Sequence, residues 1–240
     1  MLLYPFIEFM LTIIIIIITE IIYFTKILQA DPDIIGFQEV RVGESGGQSQ
    51  LQDLQQLLPE YKYSAFHSTS TIKDRFGTKS ISGWEQEGLG ILSKHSILMS
   101  HQIPLSKANK RDQSPRALLH TQIEYDMHEI FFIVVHFSTD RKLQCQNALR
   151  VINFVASTGV DRTLIVGDFN TYNDFDWPIE AVKNGFFLPN GCRAPEGFEP
   201  MGKDQGYGFD DSWHTTNKGQ NGFTFSNMVK LIYLHLKIGI

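Results

Sequence analysis

The apolar positions of this chain fall into two patterns. Asp33–Val40 (DIIGFQEV), Gly88–Ser93 (GLGILS) and Thr163–Gly167 (TLIVG) are short, nearly unbroken apolar runs, and they predict buried strands. Tyr61–Phe66 alternates weakly, and Gly222–Ser226 (GFTFS) reads as a last short strand. Arg116–Tyr125 and Glu129–His136 predict a hairpin turning at Asp126-Met127-His128. Elsewhere the recurrence is helical. Ile21, Phe24, Ile27 and Leu28 mark a helix over Glu20–Ala30, stopped by Asp31-Pro32. Ser49 caps a second helix with Leu51, Leu54, Leu57 and Leu58 on one face. Leu143, Leu149, Ile152 and Val155 mark a third, and Asp176-Trp177-Pro178 opens a fourth, with Pro178 near its first position. Residues 189–208 are rich in Gly and Pro and read as a long loop. Strands alternating with helices, without repeat or linker, predict one α/β domain.

The amino-terminal pattern is different. Residues 2–24 are strongly apolar, with six consecutive isoleucines at Ile13–Ile18, and a membrane contact would run through residues 2–28. Only eleven residues separate Glu8 from Glu20, whereas a bilayer crossing needs about 20. No Lys or Arg precedes the run, so a signal peptide lacks its basic start. Three readings stay open for residues 1–19: a membrane anchor, a buried strand, or low-complexity sequence unrelated to the domain. An anchor would make the protein membrane-associated or secretory; without it a cytoplasmic or nuclear location is expected.

Composition narrows the picture. The 240 residues carry 42% hydrophobic and 20% charged side chains, which excludes a disordered or collagen-like chain. The net charge of -5 makes the chain a poor general binder of polyanions, so a phosphate ligand needs a local basic patch or a bound cation. Lys107, Lys110, Arg111 and Arg116, opposed by Asp112, are one such patch and a footprint for a nucleic-acid backbone, or simply a solvated loop. Two cysteines, Cys145 and Cys192, leave no disulfide framework and no zinc-type pair.

The candidate chemistry sits where apolar strands end. Gln38-Glu39 follows DIIGF, His136 follows FFIVV, and Asp168-Phe169-Asn170 follows TLIVG. The carboxyl ends of strands are where α/β folds place their sites. Converging on one rim, these groups suit metal-assisted attack on a phosphate ester, with Glu39 holding a hard cation. Asp168 and Asn170, two apart on an extended chain, would address one water or phosphate oxygen. Singly, each has a plainer reading: a solvated strand-end carboxylate, a structural histidine, and a turn.

In order along the chain, DPDIIGFQEV, EGLGILSK, VVHFS, LIVGDFNT, DDSW and GFTFS resemble the endonuclease/exonuclease/phosphatase superfamily, the deoxyribonuclease I-like fold. The resemblance spans residues 20–227 and leaves a divergent tail at 228–240. It implies a four-layer α/β sandwich, two mixed sheets face to face with helices outside, and Mg²⁺-dependent hydrolysis of phosphate esters, with Mn²⁺ as the alternative ion. It assigns metal binding to Glu39, phosphate contact and general-acid duty to His136, and orientation of that histidine to Glu87. Asp168 and Asn170 would position water and phosphate, Arg116 lies on the phosphate side, and Asp211 is structural before it is catalytic. The chain departs from the family at both ends: its first Asn is Asn109, so an Asn-bearing first strand has no counterpart, and no Asp-His pair follows Asp211. Two functions are therefore carried forward. One is a metal-dependent phosphodiesterase acting as a monomer, nuclease-like before sphingomyelinase-like; Thr171-Tyr172-Asn173 lacks the Arg of the inositol polyphosphate phosphatases. The other is a catalytically silent relic.

Overall fold

The computed structural model describes residues 15–17, 27, 30–43, 47, 49–72, 83–158, 162–172, 176–185, 208–219, 223–225, 229–230 and 234–236. Two sheets carry the fold. The first has four strands in the order β1-β2-β4-β3: β1 is Ile15–Ile17, β2 Ile34–Gly43, β3 Tyr63–Thr71 and β4 Trp84–Ser93. The second has six, β5-β6-β7-β8-β12-β9: β5 Ile97–Ser106, β6 Arg116–Tyr125, β7 His128–His136, β8 Thr163–Asp168, β9 Phe209–Asp211 and β12 Leu234–Leu236. A separate pair joins β10 (Phe223–Phe225) to β11 (Val229–Lys230). Both main sheets are mixed, since β1 runs parallel to β2 and β7 parallel to β8 while the other pairings are antiparallel.

Three apolar layers explain the stacking. Ile34, Leu89 and Ile91 of one sheet meet Leu119, Ile123, Phe132, Val134 and Val166 of the other, so the sheets pack face to face. The outer face of the first sheet (Ile35, Phe37, Val40, Leu92) is covered by α1 (Gln50–Leu57) and its flanks through Leu51, Leu58 and Tyr61. The outer face of the second (Leu118, Ile133, Val135, Ile165) is covered by α2 (Arg141–Thr158) and α3 (Trp177–Asn184). This is the expected four-layer sandwich. A short α4 (Ser212–Thr216) follows β9.

Local chemistry sets the boundaries. Ser49 caps α1 as expected, but Leu57 is 62% exposed at the end of the helix, while Leu58 just beyond it is buried in the core. Asp140 caps α2, its Oδ1 accepting from the amides of Lys142 and Leu143 at 3.0 and 3.1 Å. The core face of α2 carries Gln144, Cys145, Asn147, Ala148, Val151, Ile152 and Val155, and Cys145 is disulfide-bonded, a single cross-link instead of a framework. Tyr125 pairs with His128, and Asp126 and Met127 between them both have positive φ, as a two-residue hairpin turn of the mirror-image type requires.

Several expectations fall outside the described residues: the loop at 189–208 except Gly208, and the helix at Glu20–Ala30 except Ile27 and Ala30, both helical. Of the isoleucine run, Ile15–Ile17 lies beside Gly36–Gln38 as a strand. Among the described residues no helix is long and apolar enough to cross a membrane. The tail, read as diverging from the pattern, places Leu234–Leu236 between β8 and β9.

One buried group makes stability depend on pH. His120 faces α2, stacked on Phe131 at 5.3 Å and edge-on to Phe154 at 5.0 Å. Burial, with a smaller push from His101, lowers its pKa to about 4. The unfolded chain binds that proton near pH 6.5, so this stability is present above pH 6.5 and is lost as pH falls towards 4, a loss on the order of 2–3 kcal/mol. His120→Phe should reduce the difference in unfolding free energy between pH 7 and pH 4.5 by roughly 2 kcal/mol. An unchanged pH slope in denaturant titrations would refute the assignment.

Candidate active site

At the mouth between the two sheets lies a small cleft, lined by Glu39, Thr69, Glu87, Ser114, Pro115, Arg116 and His136 among others. Its volume of about 10 Å³ is room for about one water or ion. Glu39 and Glu87 come from the four-stranded sheet, Arg116 and His136 from the six-stranded one.

Glu39 reaches the cleft through a bulge. Phe37 pairs with Gly90 but Val40 with Gly88, so β2 holds one extra residue there, and Glu39 takes φ 55°. Burial lifts its carboxyl above the usual carboxylate range; Glu87 and Asp168 lift it further, and Arg116 and Arg41 pull the other way. Asp168 ends β8 opposite His136 in register. Burial raises its carboxyl too, although the Asn170 amide, donating at 2.8 Å, and the Arg116 charge oppose this. Glu39, Glu87, Arg116 and Asp168 therefore share one electrostatic neighbourhood.

Three details depart from expectation. His136 Nε2 lies 3.0 Å from Arg116 Nη1, and an arginine can only donate, so Nε2 accepts and carries no proton. Burial first, and the Arg116 charge second, lower the pKa of His136 to about 3. The expected general acid is thus a neutral acceptor. Glu87 accepts from Arg41 Nε at 3.1 Å, so it holds that arginine and not the histidine. Asn170 has φ 50°, which breaks the extended geometry assumed for GDFN, and its Nδ2 donates to the Phe137 carbonyl at 2.9 Å. It braces the segment after β7 instead of facing the cleft, and the turn within GDFN closes on Asp168.

Asp211 is buried at the end of β9, apart from the cleft lining. The basic patch divides: Lys107 and Lys110 are exposed, while Arg116 turns inward to Asp112. Asp112 is the participant that the sequence reading missed, counted there only as a neutralising charge. Burial raises its carboxyl, but hydrogen bonds from Arg116, Ser138 and Ser114 outweigh that and hold it below the usual range.

The donor set suits a hard cation with few protein ligands. Among the described residues no three His, Cys, Asp or Glu side chains converge tightly enough to hold an ion alone. Mg²⁺, however, takes one or two carboxylates and keeps several waters. Glu39 and Glu87 face a single cleft cation, Arg116, beside a neutral His136, so an incoming phosphate needs further positive charge. Gln38, fully buried beside Glu39, has neither amide atom hydrogen-bonded, and bound waters would supply such partners.

Comparison with known proteins agrees with the geometry. A family model described as the Endonuclease/Exonuclease/phosphatase family matches residues 22–225. Among solved structures, the human Nocturnin catalytic domain with bound sulfate anion is 13% identical, covering 90% of this chain and 73% of its own, with TM-score 0.61. An endonuclease/exonuclease/phosphatase family protein from Leptotrichia buccalis is 16% identical over 93% of this chain and 86% of its own, TM-score 0.61. Humanized D. rerio TDP2 is 16% identical over 90% and 74%, TM-score 0.52. These identities speak to the fold. A search of curated protein sequences gives no match.

Proposed function

The chain belongs to the endonuclease/exonuclease/phosphatase family, and from that premise we propose that it hydrolyses phosphodiesters with a divalent cation held at Glu39, nucleic acid being the favoured substrate class. One observation carries the reading: Glu39 and Glu87 on one sheet face Arg116 on the other, close enough for each to shift the Glu39 carboxyl, with Asp168 behind. A cation there, Mg²⁺ or Mn²⁺, would polarise a phosphoryl oxygen and offset charge developing on it. Glu39 supplies an oxygen ligand and Glu87 adds negative charge. Arg116 would present N–H donors to a phosphate oxygen, and Asp168 would orient and deprotonate an attacking water. The exposed Lys107 and Lys110 extend the positive surface that a nucleic-acid backbone would follow.

A second reading rests on the absence, among the described residues, of a closed set of metal ligands. On it the chain keeps the fold without turnover. One experiment separates the two. Purified protein with Mg²⁺ should hydrolyse bis-p-nitrophenyl phosphate or DNA, and EDTA should abolish the reaction. No metal-dependent hydrolysis at micromolar enzyme would establish the silent reading.

A further inference from the structure

Asp112 sits in the polar loop before β6, yet only 4% of it is exposed. A carboxylate removed from water costs several kcal/mol unless it is paired and hydrogen-bonded. Here it is satisfied from two segments, the start of β6 and the stretch that follows β7. Arg116 grips it with two prongs, Nε donating to Oδ2 at 2.9 Å and Nη2 to Oδ1 at 3.2 Å. The Ser114 amide donates to Oδ1 at 3.1 Å. From the segment after β7, Ser138 Oγ donates to Oδ2 at 2.6 Å and the Thr139 amide at 3.3 Å. The Ser138 donor is itself braced, since its Oγ accepts from the Asp140 amide at 3.0 Å and its amide donates to Asn147 Oδ1 at 2.9 Å. One carboxylate thus ties the strand that brings Arg116 to the strand that brings His136.

The donors of Arg116 can be followed one by one. A guanidinium has five N–H groups. Two go to Asp112 and one to His136 Nε2 at 3.0 Å, which leaves two for a ligand in the cleft that Arg116 and His136 both line. Because a guanidinium is planar and rigid, fixing one edge on a carboxylate fixes the direction of the other.

We propose that Asp112 is a positioning residue: its two-pronged ion pair aims the Arg116 guanidinium, so that Nη1 holds His136 through Nε2 and the free N–H groups face a phosphoryl oxygen in the cleft. His136 is then the far anchor of the arginine and not a proton donor. The part played towards the phosphoryl oxygen rests on the phosphoesterase reading; the aiming of Arg116 and the state of His136 do not.

The test is the tautomer of His136, read from long-range ¹H–¹⁵N spectra of the full chain. Wild type should show Nδ1 protonated and Nε2 bare. In Asp112→Ala the arginine is released and His136 should move towards the Nε2-protonated form, while Asp112→Glu restores part of the wild-type signal. If Asp112→Ala does not fold, Arg116→Lys, which keeps the charge but cannot make the fork, should give the same change. In hydrolysis, Asp112→Ala should lower kcat/KM on the order of 10–100-fold, and adding it to Arg116→Ala should cost little more. A wild-type His136 protonated on Nε2, or a tautomer unmoved in folded Asp112→Ala, overturns the proposal. A wild-type chain without hydrolysis overturns the phosphoesterase reading alone, since the tautomer is measured without turnover.

Discussion

Gly167→Ala should be among the most destabilising single substitutions in the chain. Gly167 sits in β8 with φ 148°, directly beside Val135 of β7. A Cβ there would lie 1.9 Å from the Val135 carbonyl oxygen and 2.7 Å from Val135 Cγ2. The first of these is backbone in a parallel pair at the centre of the six-stranded sheet, so no flexible side chain can swing away. Relief requires parting β7 from β8 or turning the peptide, and either breaks ladder hydrogen bonds beneath His136 and Asp168. The cost should be about 4 kcal/mol or more, a large share of a domain stability of roughly 5–15 kcal/mol. Soluble yield and the urea midpoint measure it. A loss below about 2 kcal/mol would mean that the two strands separate more easily than their register implies.

Asp168→Ala should have the opposite profile, with turnover lost and the fold kept. The Asp168 carboxyl is held above its usual range by burial, so the folded protein gains little from ionising it, and its removal should move the melting temperature by only a few degrees. The hydrogen bond it accepts from the Asn170 amide is the chief structural loss. It is the carboxylate opposite His136 that shares the field of Glu39, and on the proposed phosphodiesterase reading kcat/KM for bis-p-nitrophenyl phosphate should fall on the order of 10³-fold or more. Circular dichroism melts and initial rates with Mg²⁺ check the two halves together. A folded variant within about tenfold of wild type would remove Asp168 from the mechanism.

The sequence made the interior strands plain and the cleft only partly so. DIIGF, GLGILS and TLIVG stand out because strands covered on both faces need unbroken apolar runs. β5 went unread for the converse reason. Ile97–Ser106 is an edge strand whose Leu98 is 49% exposed, and its Pro104 argues against a strand except at an edge. Ser49 announced α1 correctly, yet the exposed Leu57 shows that helical spacing marks a face without saying how far the covering sheet extends beneath it. At the cleft, the strand-end rule pointed to Glu39 and His136, which line it, and to Asp168, which pairs in register with His136. It could not find Asp112, because nothing local marks an aspartate in a basic loop as buried. Its burial is set by Ser138, on the far side of a hairpin. The roles of Glu87, His136 and Asn170 turned on partners of the same long-range kind: Arg41, Arg116 and the Phe137 carbonyl.

The two halves of the cleft hang from different sheets, and the apolar filling between those sheets sets the gap across it together with a few polar contacts such as His67–Ser100. Gly36 marks how thin that filling is, because a methyl group there would press within 2.8 Å of Val134 and Val166. Those valines lie two residues before His136 and Asp168, so the spacer that keeps the sheets apart is also the gauge that sets Glu39 and Glu87 against Arg116 and His136. Enlarging it by one carbon would work as a wedge under the cleft, widening the gap between Glu39 and Arg116 while removing no charged side chain.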